Sequence, residues 1–265
     1  MPVTIRDIRA FKEQGDRFVM LTAYDALSAR LLDDAGIPLI LVGDTLGMVM
    51  LGHSTTLPVT MDDMVHHTSA VVRGVSNAFV IGDMPFMSYQ ASIDDGIRNA
   101  GRFLKEAGAN AVKLEGGSRV VELVGRLTDS GIPVMGHLGL TPQSVNQFGG
   151  YRVQGRTDEQ AHRIVQEAKD LEAAGIFALV LEAVPSTVAR EVTKSLEVPT
   201  IGIGAGPDCD GQVLVWHDFL GITSGKLPRF VKRYAQLGDE IKRAASDFAR
   251  EVAEGTYPGP EHIYE

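Results

Sequence analysis

The sequence predicts an α/β fold of the (β/α)8, or TIM-barrel, type. Three observations carry this. Eight short apolar runs recur along the 265 residues. Each is continuous rather than alternating, the pattern of parallel strands covered on both faces. Helix-period segments with capping signals lie between most of them. A single domain over 1–265 is expected, with an N-terminal extension and a C-terminal helical segment. An open, doubly wound sheet is the structural alternative.

The strand candidates are "FVMLTAY" (18–24), "LILVGD" (39–44), "FVIGD" (79–83), "AVKLEGG" (111–117), "PVMGHLG" (133–139), "FALVLEAV" (177–184), "PTIGIGAG" (199–206) and "VLVWHDFLGI" (213–222). Between the first two, "DALSARLLDDAG" places Leu27, Leu31 and Leu32 on one helical face and stops at Gly36. Thr60 with Asp63 forms a capping-box signal ahead of the next helix, and "SIDD" (92–95) repeats it. Thr157 and Gln160 open a helix whose stripe is Ile164, Ala168 and Leu171. Only "PDCDGQ" joins the last two strands, room for a single turn. The connections Thr45–Val59 and Leu140–Arg156 are longer than a barrel needs, and long polar loops in compact domains are usually functional. A last helical stretch, "RFVKRYAQLGDEIKRAASDFAREVAEG" (229–255), is expected to cover the barrel or a neighbouring subunit.

Composition narrows the function classes. A net charge of −9 disfavours a general nucleic-acid surface, which needs clustered Lys and Arg. No apolar run approaches the about 20 residues that cross a bilayer, and the cytoplasm is the expected compartment. Cys209, the only cysteine, has no second thiol for a redox pair and reads as a bystander.

In parallel β/α folds, chemistry collects where strands end at their carboxyl side. Those ends carry Tyr24, Asp25, Asp44, Asp83, Lys113, Glu115, His137 and Glu182, then Gly202, Gly204 and Gly206, then His217 and Asp218. Two strands finish on Gly-Asp, at Gly43–Asp44 and Gly82–Asp83, and both glycines are expected to allow a close backbone approach. A buried carboxylate needs a cation or several donors. Asp44, Asp83 and Glu115 on three successive strands suit a hard divalent ion such as Mg2+, which takes a few carboxylates and keeps water or substrate oxygens. The competing reading is that each acid caps the helix after it. Lys113, two residues before Glu115, shares its face. It can hold a substrate carboxylate, form a Schiff base, or simply pair with an acid. Glu182 ends an apolar run, where a general base or a satisfied buried glutamate are both reasonable. His137 has the same two readings. His66 and His67, adjacent on a helix, point apart and read as non-ligands. "GIGAG" lacks the helix and downstream acid of a dinucleotide fingerprint.

Taken in order, "TAYD" (22–25), "LVGDTLGM" (41–48), "GHSTTLPVT" (52–60), "DMPFMSY" (83–89), "AVKLEGG" (111–117), "VMGHLGLTPQSVNQFGGYRVQGR" (134–156), "LVLEAVP" (179–185) and "IGIGAG" (201–206) closely resemble the ketopantoate hydroxymethyltransferase family. The resemblance extends from about residue 4 to the "YPG" at 257–259. It implies a (β/α)8 barrel and a cytoplasmic enzyme of pantothenate biosynthesis. That enzyme moves a hydroxymethyl group from 5,10-methylenetetrahydrofolate to 3-methyl-2-oxobutanoate, giving 2-dehydropantoate. It also implies Mg2+ and a homo-oligomer, typically a decamer. By position, Asp44, Asp83 and Glu115 match the family's metal-site acids, the two aspartates making most of the contact. Thr45 stands where many relatives carry a serine on the substrate carboxylate, and the swap keeps the hydroxyl. Lys113 matches the substrate-holding lysine, Glu182 the proton acceptor, and His137 a pocket histidine. Two rival readings are a Mg2+-dependent lyase or mutase of the phosphoenolpyruvate-type barrels and a non-catalytic 2-oxo-acid-binding barrel. The first class commonly carries a Lys-Cys-Gly-His-type loop absent here. The second has no use for a proton acceptor at Glu182.

Overall fold

The computed structural model describes residues 1–225 and 227–264. Eight parallel strands close into a barrel in chain order. They are β1 (Phe18–Thr22), β2 (Leu39–Val42), β3 (Phe79–Asp83), β4 (Ala111–Glu115), β5 (Val134–Gly139), β6 (Ala178–Glu182), β7 (Thr200–Ile203) and β8 (Gly211–Leu214), with β8 pairing back on β1. The chain divides into two compact units, Met1–Leu214 and Val215–Glu265.

In the first unit, α1 (Ile5–Gln14) precedes the barrel. The helices after the successive strands are α2 (Ala26–Asp34), α3 (Leu46–Val49), α4 (Met61–Gly74), α5 (Ile93–Lys105), α6 (Val121–Asp129), α7 (Val145–Phe148), α8 (Asp158–Ala173) and α9 (Ser186–Ser195). Thr60 and Asp63 form the expected capping box, Ser92 accepts from the Asp95 N–H, and Thr157 from the Gln160 N–H. Ile164, Ala168 and Leu171 are buried as their spacing predicts. The α2 stripe is a correction. Leu32 is buried, but Leu27 and Leu31 are 71% and 62% exposed, and Ser28 and Ala29 take the inner face instead. Asp25 sets that rotation by accepting the N–H groups of Leu27 and Ser28 at the helix start.

Strand side chains alternate between the barrel interior and the helices, so each strand's inward set shares one parity. Phe18 and Met20, Leu39 and Leu41, Phe79 and Ile81, with Ala111, Met135, Val180, Ile201 and Val213, form one buried cluster. Ile8 of α1 is fully buried in that cluster, with Val3, Ile5 and Phe11 against it. Phe11 stacks on Phe18 at the start of β1 with ring centroids 5.0 Å apart, so α1 closes the end of the barrel where the strands begin. Continuing the same parity toward the strand ends gives Asp83, Lys113, Glu115, His137 and Glu182. The interior therefore has an apolar floor and a charged top.

The last two strands are shorter than the sequence suggests. A turn with no helix joins β7 to β8, and β8 stops at Leu214 because the chain begins a helical turn at Trp216. His217 and Asp218 consequently sit in that turn rather than at a strand end. Gly206 has φ +84°, and a Cβ there would lie 2.6 Å from Ser186, so its lack of a side chain serves contact with α9. Cys209 is buried, and burial pushes its thiol up.

Asp33 fastens α2 to the entry of β3. Its carboxylate accepts the N–H groups of Ser76 at 2.9 Å, Asn77 at 3.1 Å and Ala78 at 2.6 Å. Burial pushes this carboxyl up, and the Ser76, Ala78 and Asn77 N–H groups outweigh that and hold it below the usual aspartate value. A depressed folded pKa gives stability that is full above the unfolded pKa and lost as pH falls through the folded one. Asp33→Ala is expected to cost about 1–2 kcal/mol near neutrality, the carboxylate being partly solvated. That loss should shrink in acid. Urea unfolding of both proteins across the acid range checks this, and a pH-independent difference contradicts it.

The second unit contains α10 (Trp216–Phe219) and α11 (Leu237–Glu254). The helix expected from 229 starts only at Leu237, and the backbone around its start is engaged elsewhere. The N–H groups of Tyr234, Leu237 and Gly238 donate to the carbonyls of Phe219, Leu220 and Gly221 at 2.7, 2.9 and 3.1 Å. No residue of α11 is buried; Ile241, Phe248 and Val252 form an apolar stripe about half exposed.

Candidate active site

The site is the charged top of the barrel. Register places Asp83 beside Lys113 on β3 and β4, and Glu115 beside His137 on β4 and β5. The Lys113 Nζ donates to Asp83 Oδ1 at 2.6 Å with both side chains buried. The Asp44 backbone N–H donates to Asp83 Oδ2 at 3.2 Å, which brings the turn after β2 against β3. His137 bridges two more acids: Nδ1 lies 3.5 Å from Glu115 Oε1 and Nε2 lies 3.3 Å from Glu182 Oε2. These are charge contacts without hydrogen-bond geometry. Both ring nitrogens and Glu115 Oε1 are buried and lack a hydrogen-bond partner.

Asp44, Asp83, Lys113, Glu115, His137 and Glu182 thus form one run of neighbours. None of the three metal-candidate acids caps a following helix. The positions before α3, α5 and α6 are Thr45, Ser92 and Val120. The capping alternative holds for Asp25 alone among the strand-end carboxylates of the first unit. Thr45 makes no side-chain capping bond, so its hydroxyl is not spent on the helix it precedes. His67 Nδ1 is bonded to the Tyr24 carbonyl oxygen at 2.7 Å, and the His66 and His67 rings stand at 87° to each other.

The two Gly-Asp endings have different explanations from the one expected. A Cβ at Gly82 would lie 2.2 Å from the Phe103 ring, so this glycine lets α5 sit against the outside of β3. A Cβ at Gly43 would meet Thr45 Oγ1 at 3.6 Å and Asp83 Oδ2 at 3.9 Å, ordinary contacts. The close approach the site does require is at Gly139. It has φ +94°, and a Cβ there would lie 2.2 Å from the Glu182 carbonyl oxygen. The Leu140 N–H donates to that same oxygen at 2.8 Å, and Ala183 takes the rare φ of +47°. Gly139→Ala is expected to shift Glu182 and lower turnover more than substrate affinity. Steady-state kinetics read the split, and unaltered turnover contradicts it.

Electrostatics make the cluster hungry for positive charge. Burial, then Asp83, then Glu115 push the Asp44 carboxyl well above the usual carboxylate range, against Lys113 and Gln143. Burial also raises Asp83, although Lys113 opposes it. Burial disfavours the Lys113 ammonium, but Asp83, Glu115 and Asp44 outweigh it, raising its pKa. Burial and Lys113 likewise oppose charge on His137, yet Glu115 and Glu182 lift it to about 9.

These residues fit a hard divalent cation by donor chemistry: three buried carboxylates, one with an orphaned oxygen. Among the described residues, no three His, Cys, Asp or Glu side chains already form a cage for an ion.

Two residues of this site carried no individual signal in the sequence. Gln143 lies in a 3-10 turn, Pro142–Ser144, within the long loop after β5, and Tyr89 lies in the loop after β3. The Tyr89 hydroxyl lies 2.9 Å from Gln143 Oε1 and accepts the Glu115 N–H at 3.0 Å. Loop length marked the segment holding Gln143; nothing in periodicity marks a tyrosine that reaches across to the next strand. A cavity of about 520 Å³ opens beside them, lined by Glu115, Phe86, Phe148, Arg119, Arg163 and Glu167 among others.

The family profile described as ketopantoate hydroxymethyltransferase matches residues 2–260. The chain belongs to the ketopantoate hydroxymethyltransferase family. A protein named 3-methyl-2-oxobutanoate hydroxymethyltransferase from Syntrophus aciditrophicus (strain SB) is 57% identical over 262 residues, covering 99% of this chain and 96% of its own. One of the same name from Thermobifida fusca (strain YX) is 55% identical, covering 99% and 93%. Membership makes the chain an enzyme, a hydroxymethyltransferase. Among solved structures, phosphonopyruvate hydrolase in complex with oxalate and Mg++ is similar at a TM-score of 0.62 and 14% identity, covering 99% of this chain and 92% of its own. A 2,3-dimethylmalate lyase reaches 0.62 at 17% identity, covering 100% and 89%. At such identities these two speak for the fold alone.

Proposed function

We propose that this ketopantoate hydroxymethyltransferase family member transfers a hydroxymethyl group from 5,10-methylenetetrahydrofolate to 3-methyl-2-oxobutanoate, giving 2-dehydropantoate, with Mg2+ at Asp44, Asp83 and Glu115. The observation that carries it is the position of Glu182. It is a carboxylate with 17% side-chain exposure at the rim of a buried cluster of three acids, linked to them through His137. A base at the rim can reach a substrate that the cluster holds.

Bound Mg2+ supplies a Lewis acid for the ketone of the 2-oxo acid, easing loss of the proton on C3. The Lys113 ammonium and the Thr45 hydroxyl hold the substrate carboxylate by charge and hydrogen bond, which orients C3 toward Glu182. Lys113 acts through its charge, and its bond to Asp83 keeps it protonated; no Schiff base is required. Glu182 takes the C3 proton, and the electron pair released attacks the folate methylene carbon as its bond to nitrogen breaks. Water then displaces the second folate nitrogen from that carbon, which gives the hydroxymethyl group and releases tetrahydrofolate, its two nitrogens taking up the C3 proton and one proton of the water. His137, charged between Glu115 and Glu182, holds the base at the rim. Retained Glu182 also favours catalysis over a binding-only barrel. Self-association, decameric by resemblance, belongs to the same reading, with the apolar stripe of α11 available to it.

Proton NMR of 3-methyl-2-oxobutanoate in D2O with enzyme and Mg2+ tests the chemistry. The C3–H signal is expected to disappear, to persist when EDTA is present, and to give way to product when the methylene folate is added. Absence of product with both substrates and Mg2+ present contradicts the assignment.

A further inference from the structure

Gln143 engages its entire hydrogen-bonding capacity between the acids. Its Nε2 donates to Asp44 Oδ2 and to the Met84 carbonyl oxygen, both at 2.9 Å. Its Oε1 lies 2.9 Å from the Tyr89 hydroxyl and accepts from Gln90 Nε2 at 3.0 Å. Its backbone N–H donates to Glu115 Oε2 at 3.1 Å. An amide side chain has two donors and one two-lone-pair acceptor, so nothing is left over. The partners also fix which way the amide faces, since a flipped group would set Oε1 against the Asp44 carboxylate.

One residue therefore grips two acids that arise from different strand ends, Asp44 after β2 and Glu115 on β4. It takes one oxygen of each. The second oxygen of Asp44 remains for another ligand, and Glu115 Oε1 is the orphaned, buried atom. Asp83 is held separately, by Lys113 and the Asp44 N–H. Tyr89 completes the clamp. Its oxygen accepts the Glu115 N–H at 3.0 Å, and its O–H faces Gln143 Oε1 at 2.9 Å and the Glu115 carbonyl oxygen at 3.1 Å.

We infer that Gln143 is a positioning residue. It orients the Asp44 and Glu115 carboxylates for a divalent cation, and Tyr89 locks its amide in the working orientation. The inference rests on the metal reading proposed above. Groups that orient metal ligands typically change affinity by about 10–100-fold when removed.

The probe is Mn2+ itself, titrated into the full-length protein without substrates and followed by electron paramagnetic resonance. Gln143→Met keeps the side chain's length and removes its polar atoms. It is expected to weaken Mn2+ binding by about 10-fold or more. Tyr89→Phe, which leaves Gln143 in place, is expected to cause a smaller loss in the same direction. Urea unfolding of each variant without metal separates this from a general loss of structure, and if Gln143→Met fails to fold, Tyr89→Phe carries the test. Wild-type binding with unchanged affinity in folded variants overturns the positioning role and leaves the metal reading intact. No Mn2+ binding by the unsubstituted protein overturns both.

Discussion

Glu182→Gln is expected to lower kcat by about 10²–10⁴-fold, the usual contribution of a positioned general base. Substrate affinity should change little. The amide keeps the size of the side chain and cannot take the C3 proton. Its neighbour Nε2 of His137, 3.3 Å away, loses one of the two carboxylates that keep it charged. The decisive measurement pairs single-turnover product formation with deuterium exchange at C3. Both should collapse together while 3-methyl-2-oxobutanoate still binds. Exchange at the wild-type rate would move the base elsewhere and leave Glu182 with a binding role.

Lys113→Ala is expected to give the largest loss of stability of any single change at the site. The ammonium offsets Asp83 directly at 2.6 Å and faces Asp44 and Glu115 as well. Removing one partner of a buried ion pair typically costs about 3–5 kcal/mol, because the other charge stays desolvated. The sign with pH follows from the acids left behind. Without the lysine, Asp83 loses the main influence lowering its pKa, so its folded value rises further. A raised folded pKa gives stability that is present at low pH and lost as pH rises through it. The variant should therefore be weakest relative to wild type near neutrality and recover toward acid. Mg2+ should restore part of the loss, since a ligand that binds only the folded state stabilises it. Urea unfolding at several pH values, with and without Mg2+, measures all three effects. A deficit below about 1 kcal/mol at neutrality contradicts the prediction.

Much of this architecture is legible in the residues. Continuous apolar strands and helix caps such as Thr60–Asp63 report local physics, and local physics decided them. Misreadings arose where tertiary context took over. Leu27 and Leu31 look like core by spacing, yet the Asp25 cap rotates α2 so that they face outward. The stretch before α11 has helical composition, yet within it the Tyr234 N–H is taken by the Phe219 carbonyl oxygen. Within the site, the inward parity of Asp83, Lys113, Glu115, His137 and Glu182 follows from strand periodicity once the barrel is known. Gln143 does not, because its role depends on how one loop folds over three strand ends. Gly82 shows the reverse case: a residue beside a catalytic candidate whose real demand comes from Phe103 on the outer side of the sheet.

The common parity of the apolar floor and the charged top has a consequence for assembly. A slip of one residue in β4 would turn Lys113 and Glu115 toward the helices and bring Val112 and Leu114 inside. Such a chain would strand two charges in an apolar layer and leave the remaining acids without their counter-charge. Registration errors in this barrel are thus penalised twice, once in the layer beneath and once in the layer above. On the proposed metal reading, the response to a divalent cation becomes a proofreading signal for β2, β3 and β4: only molecules with these strands in step bring Asp44, Asp83 and Glu115 together, so the cation-stabilised fraction of a refolding mixture reports the population registered there.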